Sequence, residues 1–260
     1  MNAMKIKLIL TALLIWTFTQ SYSQIPGATP FQTGNEGTLI SYNVSYGAQL
    51  PAGDLADRFG FNYNLGNNVD LILASNWIIG LDAQFIFGTD VKENPLLNNV
   101  IGPEGFIYSN SFTPADIVLR ERGFYFGAKA GRLFALSKNN KRMGIRATFG
   151  AGLLQHKIRI QDDPQVFVPQ LDDTYKKGYD RLTNGLALEQ FIGFQYLGIL
   201  RRVNFYAGFE IMEGFTMNRR SFNFDTQMPD TTSRLDILYG FRLGWTLPFY
   251  VGENSEEIYY

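Results

Sequence analysis

The chain has no cysteine and only one histidine in 260 residues. The first absence excludes disulfides, thiolate catalysis, thiolate metal sites and the lipidated cysteine of a bacterial lipoprotein. The second leaves one imidazole, His156, for general-base chemistry. Charged residues make up only 18%, and the formal balance of −1 lacks the basic excess expected of a nucleic-acid binder. One sustained apolar run exists, Leu8 to Phe18, and it is too short to cross a membrane as a helix. No repeat of solenoid period and no cofactor motif is present.

Aromatics and glycine are plentiful: 22 Phe, 14 Tyr and 26 Gly. Residues 1–23 have the form of a cleaved secretory signal, with Lys5 and Lys7 ahead of the apolar run and Ser21-Tyr-Ser23 as a small-x-small site. Residues 24–37 are expected to form a polar leader, 38–247 one domain, and 248–260 a tail. Without disulfides, an exported chain must be held by its own hydrogen-bonded architecture.

The clearest pattern runs from Val203 to Leu247. Val203, Phe205, Ala207, Phe209 and Ile211 alternate with Asn204, Gly208 and Glu210. Leu235 through Leu247 repeats the alternation, with Asp236, Gly240, Arg242 and Gly244 on the second face. A period of two with one wholly apolar face predicts strands. Six further segments show it: Leu39–Leu50, Phe59–Ala74, Trp77–Gly88, Gly123–Leu136, Met143 to about Ile160, and Leu182–Tyr196. In the second, Phe59 joins the apolar stripe and Asn67 interrupts it, leaving the register open.

The connections alternate in length. Those after strands two, four and six are brief (Ser75-Asn76, Ser137–Arg142, Leu197–Arg202), while those after three, five and seven are long. Strict sorting by parity is expected of a membrane barrel with short turns on one side and long loops on the other. The fold class expected is therefore all-β, an antiparallel up-and-down transmembrane barrel of eight strands. Trp77, Phe134, Tyr196 and Trp245 fall beside the short turns, where an interfacial aromatic girdle belongs. Within the long loops, Thr113–Arg120 carries a Thr cap and a Pro and predicts a short helix. Asn99–Ser109 reads as a possible extra strand, and Val166–Val168 as a strand extension.

The inward positions collect Asp82, Lys129, Arg146, Glu189, Glu210, Asp236 and Arg242, with Gln84 and Gln195. Eight strands enclose a space that side chains can fill, and unpaired charges there would each cost several kcal/mol. These residues are expected to form a structural charge network; an ion or solute path is the alternative. His156 lacks a neighbouring serine in a nucleophile motif, although Glu189 on the adjacent strand is a candidate to orient it. The pairs Asp162-Asp163 and Asp172-Asp173 lack calcium-loop spacing and read as solvated loop acids, and Asn218-Arg-Arg220 as ordinary rim arginines, with contact to lipid phosphates as the alternative.

With strands and loops laid out in this way, the chain resembles the small eight-stranded outer-membrane barrels of Gram-negative bacteria, of the OmpA membrane-domain and OmpX type. The resemblance is architectural and carries no motif. It implies insertion by the barrel assembly machinery, with outer-membrane lipid and lipopolysaccharide as surroundings. It further implies a non-enzymatic structural, adhesive or partner-binding role, including that of an accessory subunit of an envelope or secretion complex. A narrow channel, a lipid-modifying enzyme and a soluble lipocalin-type barrel with reversed faces are the alternatives. No cofactor and no nucleic-acid partner is expected. Such barrels end on an aromatic of the last strand, whereas here Pro248 to Tyr260 follows Leu247.

Overall fold

The computed structural model describes residues 35, 37–93, 96–163, 167–199 and 201–251. The expected signal segment, most of the leader and the end of the tail lie outside them. Eight strands follow in order: β1 Leu39–Gly53, β2 Asn62–Ile72, β3 Trp77–Gly88, β4 Ile117–Ala135, β5 Met143–Asp162, β6 Thr183–Leu197, β7 Asn204–Asn218 and β8 Ser233–Tyr250. Each pairs antiparallel with the next, and β1 pairs with β8 to close the barrel. Closure leaves no sheet edge, so every strand finds both its ladders without help from disulfides. Two short helices, α1 Leu55–Arg58 and α2 Asp173–Tyr179, belong to long connections.

The alternation of the sequence becomes two faces. On β7, Phe209 is 66% exposed and its neighbour Glu210 1%. The outer face carries exposed large apolar side chains on all eight strands, from Tyr42, Val44 and Tyr46 on β1 to Phe241, Leu243 and Trp245 on β8. Asn67 does not break the register of β2, for it lies opposite Val44 on the outer face, where the Tyr42 hydroxyl donates to its Oδ1 at 2.7 Å. That bond gives this amide oxygen a partner among apolar neighbours.

Four expectations are corrected. Ile117–Arg120 forms no helix but the start of β4, paired with Arg159–Asp162 of β5. The ladder satisfies these backbone groups, and Ile117 and Leu119 pack on the core at the loop end. Residues 99–109 add no strand; a 3-10 turn at Asn98–Val100 and an isolated bridge between Tyr108 and Pro114 occupy this region. Phe59 does not face outward. It precedes β2 and is fully buried at the loop end. β8 runs past Leu247 to Tyr250, pairing with Leu39. Of Val166–Val168, Val166 lies outside the described residues, and Val168 is buried at the loop end.

The interior is layered. At the short-turn end, Leu39, Ile72, Ile78, Leu133 and Leu197 form an apolar cluster. A polar layer fills the middle. At the loop end a larger apolar core includes Leu55, Phe59, Ile86, Leu154, Ile158 and Met212. Below the inner apolar layer, Arg142 is buried and donates to the carbonyls of Asn35 and Leu73 and to Asn76 Oδ1, so it ties two turns to the segment before β1.

Candidate functional site

The polar layer is built by strand parity, which aims every second side chain at the axis. Arg242 of β8 lies at its centre, donating to Asp82 of β3 and to Glu189 of β6, each at 2.9 Å, and pairing with Glu210 of β7. Lys129 reaches Asp82 at 3.1 Å and Asp70 at 3.4 Å. Arg146 donates to Asp70 at 2.6 Å and to Gln195 at 3.1 Å, with its guanidinium 4.9 Å from the Tyr206 ring centroid. Gln49, Asn64 and Gln84 donate to Glu210. Six of the seven residues named from sequence thus meet in one network: Asp82, Lys129, Arg146, Glu189, Glu210 and Arg242. Asp70 was missed, although it shares the inward parity of Asn64 and Asn68 once Asn67 is placed outside.

Asp236 stands apart, nearer the loops. Its Oδ2 contacts His156 Nε2 at 2.7 Å across the lumen and accepts from Thr216 Oγ1 at 2.5 Å. Asp236, not Glu189, orients the histidine. The imidazole packs edge-on to Phe59, 5.8 Å between centroids, beneath the apolar core. No serine lies within hydrogen-bond reach of His156 among the described residues, so the nucleophile–base arrangement does not form.

The long connections fold together over the barrel mouth. α1 brings Arg58 inward, where its Nε donates to Glu93 at 2.8 Å and its Nη1 to Thr183 Oγ1 at 3.1 Å. Glu93 also accepts from Arg181 Nε at 3.2 Å, and Arg181 pairs with Asp225 at 2.5 Å. Arg58, Glu93, Arg181 and Asp225 come from the four connections on this side, so one chain of ion pairs laces all four. Burial pulls the Arg58 guanidinium below the ordinary arginine value, against the pull of Glu93. Arg220 pairs with Asp180 at 2.5 Å, and that bond holds it above its ordinary value. Arg219 donates to Asn184. The loop acids are engaged as well. Asp172 is the N-cap of α2, accepting from the amides of Thr174 and Tyr175, and Asp162 takes Lys176 at 2.7 Å.

Above this lacing, Tyr175 and Tyr179 of α2 gather around Phe224, with centroids 6.0 and 5.6 Å away. Asn99 donates to the carbonyls of Phe224 and Asp225, and the Phe224 amide to Gly178. The result is an open, largely apolar cleft of about 670 Å³, lined by Val100, Pro169, Tyr175, Tyr179, Phe222 and Phe224. Convergent aromatics without a nucleophile suit binding, not bond making. Periodicity could not have found this cleft, because its residues come from irregular segments. Among the described residues, no group of three or more His, Asp or Glu side chains is arranged to hold a metal ion.

No protein-family model matches the sequence, and no curated protein matches it. Among solved structures, the chain is similar to Neisserial surface protein A at 12% identity and a TM-score of 0.43, over 82% of this chain and 100% of that one. It is similar to the outer membrane protein OprG of Pseudomonas aeruginosa at 12% identity and a TM-score of 0.38, over 85% of this chain and 99% of that one. At these scores the likeness carries no argument, and the barrel stands on its own strand pairing.

Proposed function

We propose that the chain is a non-enzymatic outer-membrane barrel whose laced loops present a binding surface to an envelope or extracellular partner. The observation that carries this reading is the pairing of faces: large apolar side chains exposed on all eight strands, opposite a buried and ion-paired interior. In water such an exterior would be an aggregation hazard; in lipid it is the ground state. The aromatics beside the short turns support the same reading. Trp77, Phe134 and Trp245 are exposed at that end, and Arg132 lies 5.6 Å from the Trp77 ring centroid. Export through residues 1–23 and insertion by the barrel assembly machinery complete the proposal.

The layered interior favours a structural or binding role over conduction, since apolar clusters flank the ionic layer on both sides. The burial of His156 beneath Phe59, with no hydroxyl hydrogen-bonded to its ring among the described residues, favours it over lipid hydrolysis. Fractionation tests the reading. The mature protein should enter the outer-membrane pellet, resist carbonate extraction and migrate faster on gels unboiled than boiled. Recovery in the soluble fraction without such a shift would refute it.

A further inference from the structure

Around the barrel mouth Arg181, Arg220 and Arg234 each have an acidic partner, and Arg219 is held by Asn184. A denser group of cations has neither. On the outer face of the β4–β5 ladder, Arg122 stands directly opposite Lys157 and Arg120 opposite Arg159. None of the four enters an ion pair among the described residues. Arg122 donates only to the carbonyl of Glu121, at 2.6 Å, and the Arg120 Nε is shut off from solvent without an acceptor. Like charges directly opposite on a sheet repel, and here two such rows are stacked.

Their height gives the quartet its meaning. Outward positions of β4 run from Arg132, in the aromatic girdle, through Ala130, Ala128, Phe126 and Phe124 to Arg122. Ten residues of strand span about 33 Å, or about 25 Å in height at the ~40° tilt usual for such barrels. That is the thickness of an outer-membrane hydrocarbon band, so Arg122 and Lys157 fall where loop-side headgroups begin. Beneath them are apolar contacts: Phe87 opposite Arg122, with Phe85 and Tyr63 at 5.9 Å from its ring. An open cleft of about 680 Å³ borders Lys157 and Arg159; its other charges are of both signs, with Lys176 paired to Asp162 and Arg220 to Asp180.

We infer that this four-cation ladder is a binding site for a phosphorylated lipid of the outer leaflet, its phosphates on Arg120, Arg122, Lys157 and Arg159 and its acyl chains along the aromatic wall. Guanidinium groups suit phosphate oxygens in a bidentate fashion, and a bound polyanion offsets the repulsion among the four cations. The inference rests on the outer-membrane reading above and names its lipid contact.

The test uses the full chain refolded in detergent and native mass spectrometry. The probes are bisphosphorylated lipid A, the same lipid dephosphorylated, and phosphatidylethanolamine, with inorganic pyrophosphate as competitor. Wild type should retain bisphosphorylated lipid A at least tenfold more tightly than the other two lipids. R120Q/R122Q/K157Q/R159Q should lose that margin, while K138Q/R202Q at the short-turn end should keep it. Should the quadruple variant not fold, R120Q/R159Q and R122Q/K157Q separately replace it, each expected to lose at least threefold. Undiminished binding by the variants, or equal binding of the dephosphorylated lipid, would overturn the inference. So would pyrophosphate matching the lipid in affinity, which would make this a free-phosphate site. A soluble protein in fractionation would refute the membrane reading without altering this assay, and a failed lipid contrast would leave fractionation untouched.

Discussion

Arg242 on β8 donates to Asp82 on β3 at 2.9 Å, joining two strands that are not neighbours in the sheet. The bond crosses the lumen, so it braces the barrel in a direction that the backbone ladders do not.

Arg242→Met should therefore destabilise the barrel strongly. Asp82, Glu189 and Glu210 all contact this guanidinium, and breaking a buried pair from one side costs about 3–5 kcal/mol. Reversible urea unfolding in lipid vesicles should show a correspondingly lower midpoint. A midpoint equal to wild type would mean that the carboxylates find other partners.

Spin labels at Phe209, Leu243 and Phe149, all more than half exposed on the outer face, test the apolar exterior. In bilayers each should be relaxed by oxygen and protected from a water-soluble nickel chelate. A label at Phe167, in a long connection, should show the opposite preference. Nickel access at the first three positions would place that face in water.

Glu93 joins Arg58 and Arg181, so Glu93→Ala should unlace the loops while leaving the strands paired. Losing hydrogen bonds to charged groups costs about 1.5–3 kcal/mol, felt locally. Limited proteolysis should cut within residues 89–116 and 219–232 several times faster than in wild type, with gel migration of the folded barrel unchanged. Equal cleavage rates would show that the aromatic contacts alone hold the cap.

Acid should loosen the β7–β8 connection late. Burial raises the Asp230 pKa, but bonds from Arg234 and the Thr232 amide outweigh it and hold the group at about 2. With a folded value below the unfolded one, near 3.9, this pair contributes stability above pH ~4. The contribution fades as pH falls through about 2. Proteolysis of this loop by an acid-active protease should thus stay slow at pH 4 in wild type, and Asp230→Asn should accelerate it there. Identical rates for the two proteins at pH 4 would remove the pair from the account.

Much of the barrel was legible in the chain because strand parity is local. Phe209 and Glu210 must point to opposite faces whatever the rest of the protein does, and the short turns at Ser75-Asn76 and Ser137–Arg142 mark where strands reverse. Asn67 hid Asp70 only because one polar residue on an apolar face looked like a slipped register. The helix expected at Thr113–Arg120 failed for a different reason. Its Thr-Pro start is a genuine capping signal, but Ile117–Arg120 complete a ladder with β5, Ile117 and Leu119 cover the core at the mouth, and tertiary pairing outweighs a cap.

From the sequence alone came the number of strands, the two faces and many of the inward charges, though not Asp70, because alternation along an extended chain follows from backbone geometry. Only the closed barrel decided which charges meet: Arg242 with Asp82, His156 with Asp236, Arg58 with Glu93. Those distances depend on the register of every intervening pair and on the packing of irregular loops, and no single segment of chain carries that information.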